Sequence, residues 1–192
     1  MADVQWSLTG AAEQLEDREN DVVFWELEKF IRLALRANPT ALEVLFTPRV
    51  THATPLGRRL RAERGVFLSK LAAATFGRYA DQQFEKHVRR VDRTGEHRPK
   101  ELMHLVRLLR SGIGLLRTGE LPVHVPEQRD ELLAIRRGEV PLHAVAEMRA
   151  ALVTELDAAL AETALPDEPD HAAAERLLLD ARRAAAESET LP

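Results

Sequence analysis

Leu68, Ala72, Phe76, Ala80, Phe84 and Val88 recur at an unbroken spacing of four. A helix carries such a series on one side and sets Arg78, Gln82, Lys86, Arg89 and Arg93 on the opposite side. The spacing therefore predicts one long helix over about 68–91, and a chain built around it must supply other helices to cover its apolar stripe. Composition agrees. Leu (29) and Ala (28) far outnumber Val (14) and Ile (3), so the apolar residues are those that lose least freedom in a helix. An extended all-β fold is excluded on that ground. No apolar run approaches the roughly 20 residues that span a bilayer. With no Cys there is neither a disulfide nor a thiolate nucleophile. Met-Ala-Asp at the start lacks the basic and apolar segments of a signal peptide, so the expected compartment is the cytoplasm.

The remaining elements follow from period and punctuation. Residues 1–20 show no sustained period and read as an irregular arm or hairpin edge. Val22-Val23-Phe24-Trp25 is the most strand-prone stretch, and it runs directly into Leu27, Phe30, Ile31, Ala34 and Leu35 at helical spacing. Asn38 is placed to cap a helix over 39–46 with Pro39 at its first position. A loop leads to a short basic helix over 56–64 ending at Gly65. After the long helix and a loop over 92–99, Leu102, Leu105, Val106, Leu109, Ile113 and Leu116 mark a helix over about 100–117. Helices over 127–137, 141–163 and 170–187 complete the chain. The expected organisation is mostly α: a short β-containing segment over 1–26, then a helical domain over 27–192 with linkers near 119–126 and 164–170.

Charge falls in blocks. Residues 1–30 sum to -6, residues 31–110 to +10 and residues 139–192 to -8, within a net charge of -4. A cationic middle between acidic ends points to a polyanion, to a phosphate group, or to the acidic ends of the same molecule. On the helix after the long one, Lys100, His104, Arg107 and Ser111 share a stripe; with Arg78, Gln82 and Lys86 they form two basic stripes on consecutive helices. Lys offers a compact charge and Arg a planar fork for phosphate oxygens. Ser111, Gly112 and Gly114 are small enough to admit a ligand close to the backbone. The competing reading is that both stripes are ordinary solvated faces.

The seven histidines contain no pair at i, i+4 and no His-Glu-x-x-His, so a helical zinc site is not supported. Asp21, Glu26 and Glu28 surround the expected strand, but magnesium needs convergent carboxylates and the chain has no Asp-x-Asp. Glu26 and Glu28 read as acids favouring a helix N-terminus.

Four stretches, in order, resemble nucleotidyltransferases of the DNA polymerase beta superfamily, in the branch associated with RNA repair: residues 23–30 (VFWELEKF), 38–48 (NPTALEVLFTP), 100–109 (KELMHLVRLL) and 132–139 (LLAIRRGE). The resemblance covers nearly the whole chain. It implies a short β remnant of the family's α/β domain followed by a helical half, with magnesium and a nucleoside triphosphate as cofactors and nucleotidyl transfer to RNA as the reaction class. The family's Gly-Ser turn and Asp-x-Asp precede the region that Trp6 to Leu15 resembles, and neither occurs in this sequence. What matches is the third carboxylate, Asp21, as catalytic and metal-binding residue, with Lys100, His104 and Arg107 facing the cleft. Two-metal phosphoryl transfer needs the missing pair. The chain is therefore expected to be either an N-terminally shortened enzyme or a degenerate relative that keeps a binding surface. A non-enzymatic helical module binding RNA or protein is the alternative. The unpaired strand edge also offers a route to self-association.

Overall fold

The computed structural model describes residues 14–189, and the expected arm over residues 1–13 lies outside them. Two strands, β1 (Gln14–Asp17) and β2 (Val22–Trp25), form an antiparallel hairpin in which Leu15 faces Phe24 and Asp17 faces Val22. The turn between them is closed by the Asp17 carboxylate, which accepts from the backbone N–H groups of Glu19 and Asn20 and from the Asn20 amide. Asp21 completes it at φ 54°, a left-handed conformation that Asp tolerates better than most residues. The strand edge expected to lack a partner thus acquires one from the residues just before it.

Eight α-helices follow among the described residues: α1 (Leu27–Leu35), α2 (Pro39–Phe46), α3 (Pro55–Ala62), α4 (Leu71–Thr94), α5 (Pro99–Thr118), α6 (Arg129–Arg137), α7 (Leu142–Glu162) and α8 (His171–Glu189). Local chemistry sets most of their ends. The Glu26 carboxylate caps α1 by accepting from the Lys29 N–H, Asn38 caps α2 by accepting from Ala41, and Thr54 caps α3 by accepting from Gly57. Pro39, Pro55 and Pro99 open their helices, and Gly95, Gly119 and Gly138 stop α4, α5 and α6 at positive φ. Glu26 and Glu28 are therefore helix-terminal acids, the latter bonded to Arg32 and Arg182.

Three boundaries differ from the sequence reading. Gly65 does not end a helix but lies inside a 3-10 turn, Arg64–Phe67, whose purpose is to bury Phe67. The long helix starts at Leu71 rather than Leu68, because Leu68 is extended and packs into the core from the loop. It also runs on to Thr94, so residues 95–98 alone join it to α5.

The helix α5 is the centre of the molecule. Its Leu108 and Leu115 belong to a core with Ile31, Leu42, Leu45, Phe67, Phe76 and Leu177, between α1, α2, α4 and α8. Its Leu105, Leu109 and Leu116 belong to a second core with Ala80, Ile135, Val145 and Leu156, between α4, α6 and α7. A helix surrounded in this way has little solvent-facing surface to spare. No helix among the described residues is long and apolar enough to cross a membrane.

Candidate functional site

Lys100, His104 and Arg107 share one face of α5, a helix otherwise buried on most sides. The Arg107 guanidinium reaches α2, where its Nη1 donates to Glu43 Oε1 at 2.6 Å, and its Nη2 lies 3.3 Å from His104 Nδ1. A guanidinium has only donors, so the His104 Nδ1 is the acceptor and the proton sits on Nε2. Burial pushes the His104 pKa below the ordinary histidine value, the Arg107 and Lys100 charges add to the lowering, and Glu43 opposes it. Glu43, Arg107 and His104 form a half-buried polar chain, and Lys100, one turn earlier on α5, is exposed. Sixty-four residues separate Glu43 from Arg107, and no local pattern in the sequence marks the pairing.

The helix α4 contributes unevenly. Its contacts with α5 are made by Phe76, which lies against Gly112, and by Arg90, which donates to Glu101 at 2.6 Å. That hydrogen bond is the main reason the Glu101 pKa falls below the usual carboxylate range, with the charges of Arg90, Lys86 and Arg98 assisting against burial. Lys86 is thus within electrostatic reach of Glu101 on α5. Arg78 and Gln82 are exposed and stand two residues from Phe76 and Ala80 respectively, a rotation of about 200° that turns them away from α5. The structure brings His104 and Arg107 together with Glu43, leaves Lys100 exposed one turn before His104, and sets Arg78, Gln82 and Lys86 exposed on α4.

The small residues of α5 serve packing rather than ligand approach, which corrects the sequence reading. A Cβ at Gly112 would stand 3.1 Å from the Phe76 Cβ, and one at Gly114 would stand 2.7 Å from the Pro122 Cγ. The Ser111 hydroxyl donates to the Pro122 carbonyl at 3.4 Å. Both cores need their neighbours close to α5, and only residues without bulk allow it.

Asp21 lies in the exposed hairpin turn, one residue before β2. Among the described residues no three His, Asp or Glu side chains are grouped to hold a metal ion. Its neighbour Asp17 has its oxygens committed to the turn, which lowers its pKa. These residues do not fit a pair of magnesium ions.

The basic middle is partly neutralised from within: Arg59 meets Asp180 and Lys70 meets Asp167. Lys86, Lys100 and Arg78 have no hydrogen-bonded or ion-paired partner among the described residues.

A helical body behind a two-stranded hairpin, with Lys100, His104 and Arg107 along one face of its central helix, is the class of molecule defined by these features. Residues 4–180 match the RNA repair pathway DNA polymerase beta family, RlaP, and the chain belongs to that family. Its role is accordingly related to that of polymerase-beta-like nucleotidyltransferases. No curated protein matches the chain, and no solved structure does.

Proposed function

We propose that the chain is the phosphate-binding helical part of a nucleotidyltransferase-like protein acting on RNA in the cytoplasm, and that it does not itself transfer nucleotides. The observation that supports this best is the polar stripe of α5. Lys100 is exposed on the central helix, one turn before the half-buried His104 and its partner Arg107, in a chain belonging to an RNA repair family. Transfer through two magnesium ions needs paired carboxylates, and Asp21 sits in an exposed turn beside Asp17, whose oxygens are committed to that turn. Magnesium and a nucleoside triphosphate would be cofactors only where another segment supplies that pair.

Incubation of the chain with RNA, magnesium and labelled nucleoside triphosphate is expected to give no labelled product. Magnesium-dependent labelling that is lost in Asp21→Asn would overturn the inactive reading. RNA binding is expected to weaken steeply with salt, as released counterions are recovered from solution. Lys86→Ala with Lys100→Ala removes charge without orphaning Glu43, and should lower both the affinity and the salt slope.

A second reading, binding of protein, draws on the hairpin. Leu15, Val22, Val23 and Phe24 are exposed large apolar residues on a two-stranded sheet with free edges. Self-association through that edge predicts a mass that rises with concentration in light scattering and stays monomeric in Val23→Lys.

A further inference from the structure

At the root of the hairpin, between β2, α1, α2, α3 and the loop over residues 47–54, lies an open groove of about 500 Å³. Its apolar lining includes Trp25, Phe30, Val44 and Leu60, and Arg49, His52 and Arg61 stand in its wall. Arg61 holds that wall in place by donating to the Val44 and Thr47 carbonyls. No carboxylate lines the groove. Residues 44–62 contain four arginines and no acid, and of these arginines only Arg59 has carboxylate partners among the described residues. The acids that flank the groove are committed elsewhere: Glu26 caps α1, Glu43 is held by Arg107 and Glu63 by Arg59. An apolar groove with a cationic wall fits an amphipathic partner that carries negative charge.

The hairpin of this same chain has that character. Side chains alternate across a strand, so the register puts Leu15, Phe24 and Val22 on one face and Gln14 and Trp25 on the other. Trp25 turns to the body, its ring 5.9 Å from that of Phe30. Leu15, Val22 and Phe24 are left exposed, Phe24 by 56%. Around them Glu16, Asp17, Glu19 and Asp21 stand against Arg18 alone. Because Trp25 lines the groove from the opposite face of the hairpin, the exposed face cannot reach the groove of its own chain.

We infer that the groove receives the hairpin of a second copy, with Leu15, Val22 and Phe24 against Trp25, Phe30 and Val44 and the acidic turn against Arg49 and His52. The exchange is reciprocal. Each hairpin springs from the wall of its own groove, so both contacts gather about one two-fold axis, which closes a dimer instead of extending a filament. Reciprocity also doubles a contact that is small when made once. The exchange rests on the reading of the hairpin as a self-association surface, with the contact moved from the strand edge to the groove.

Sedimentation equilibrium on the full chain tests the exchange through charge reversal on either side. Arg49→Glu with His52→Glu reverses the groove wall, Glu16→Lys with Glu19→Lys reverses the hairpin, and all four side chains are exposed. Each pair alone is expected to raise the dimer dissociation constant at least tenfold. The chain carrying all four substitutions should regain most of the affinity, which also shows that both variants fold. If Val23→Lys dissociates the dimer while the groove variant leaves it unchanged, edge pairing stands and the exchange is wrong. If the fourfold variant associates no better than either pair, the two surfaces do not meet and the exchange is equally wrong. A parent that stays monomeric overturns both readings and leaves the groove to a different protein.

Discussion

His87 is fully buried on α4, and neither ring nitrogen has a hydrogen-bond partner among the described residues. Glu101 lies 3.9 Å from its Nδ1, and the His97 ring is 5.7 Å away between centroids. Burial is the largest cause pushing its pKa below the ordinary histidine value; His97 and Arg90 push the same way, and Glu101 opposes. The sign follows by linkage. Above the unfolded pKa of about 6.5 both states are neutral and nothing depends on pH; below it the unfolded chain binds a proton that the folded one refuses, so stability falls as pH drops. His104 has the same sign and adds to the slope. His87→Leu is expected to lose less stability between pH 7.5 and pH 5 than the parent, as measured by urea unfolding at both pH values. It should also be more stable at pH 5 by about 1 kcal/mol, since an unsatisfied buried polar group costs about 1–3 kcal/mol. An unchanged slope would assign the acid sensitivity elsewhere.

Elements in this molecule are held by their ends and by their close approaches. Asn38 caps α2 and also donates to the Tyr79 hydroxyl of α4 at 3.3 Å. Asn38→Ala should therefore cost about 1 kcal/mol or somewhat more, the typical loss for a cap, read as a lower urea midpoint with an unchanged m-value. Gly112 lets α5 rest on Phe76 and Leu156, whose nearest atoms would stand 3.1 and 3.3 Å from an added Cβ. Gly112→Ala forces α4 or α7 outward and is expected to destabilise by about 1–3 kcal/mol, in the range of overpacked cores. Because the glycine packs against protein rather than ligand, RNA affinity of the folded variant should be unchanged; a loss of affinity at full folding would return the ligand role to this residue.

For the whole molecule, salt separates two uses of charge. The acidic C-terminal block is tied to the basic middle through Arg59 with Asp180 and Lys70 with Asp167, and to α1 through Arg182 with Glu28. All of these pairs are partly or largely solvent-facing, and exposed ion pairs contribute about 0–1 kcal/mol each. Raising salt from 0.05 to 0.5 M should therefore shift the thermal midpoint by only a few degrees, while binding through phosphates is expected to fall by orders of magnitude over the same range, on the scale of counterion release. Parallel melting and RNA titrations check both halves; equal sensitivity would mean that RNA is held by a structure the salt bridges build.

The sequence by itself determined the helices and most of their ends. The four-residue apolar series, the Asn38-Pro39 cap and the stops at Gly119 and Gly138 are local features, and their effect is complete within a few residues. It also marked Lys100, His104 and Arg107 as one stripe, since the helical period alone fixes that. Tertiary structure decided what the stripe meets. Glu43 comes to Arg107 from 64 residues away, Pro122 fills the space beside Gly114, and Trp25 joins Val44 and Leu60 around one groove. Leu68 left its helical period and is buried from the loop before α4, beside Phe67 of the 3-10 turn. Period and capping act between neighbours in the chain, whereas charge neutralisation and packing act between neighbours in space, and only folding makes those two sets of neighbours known together.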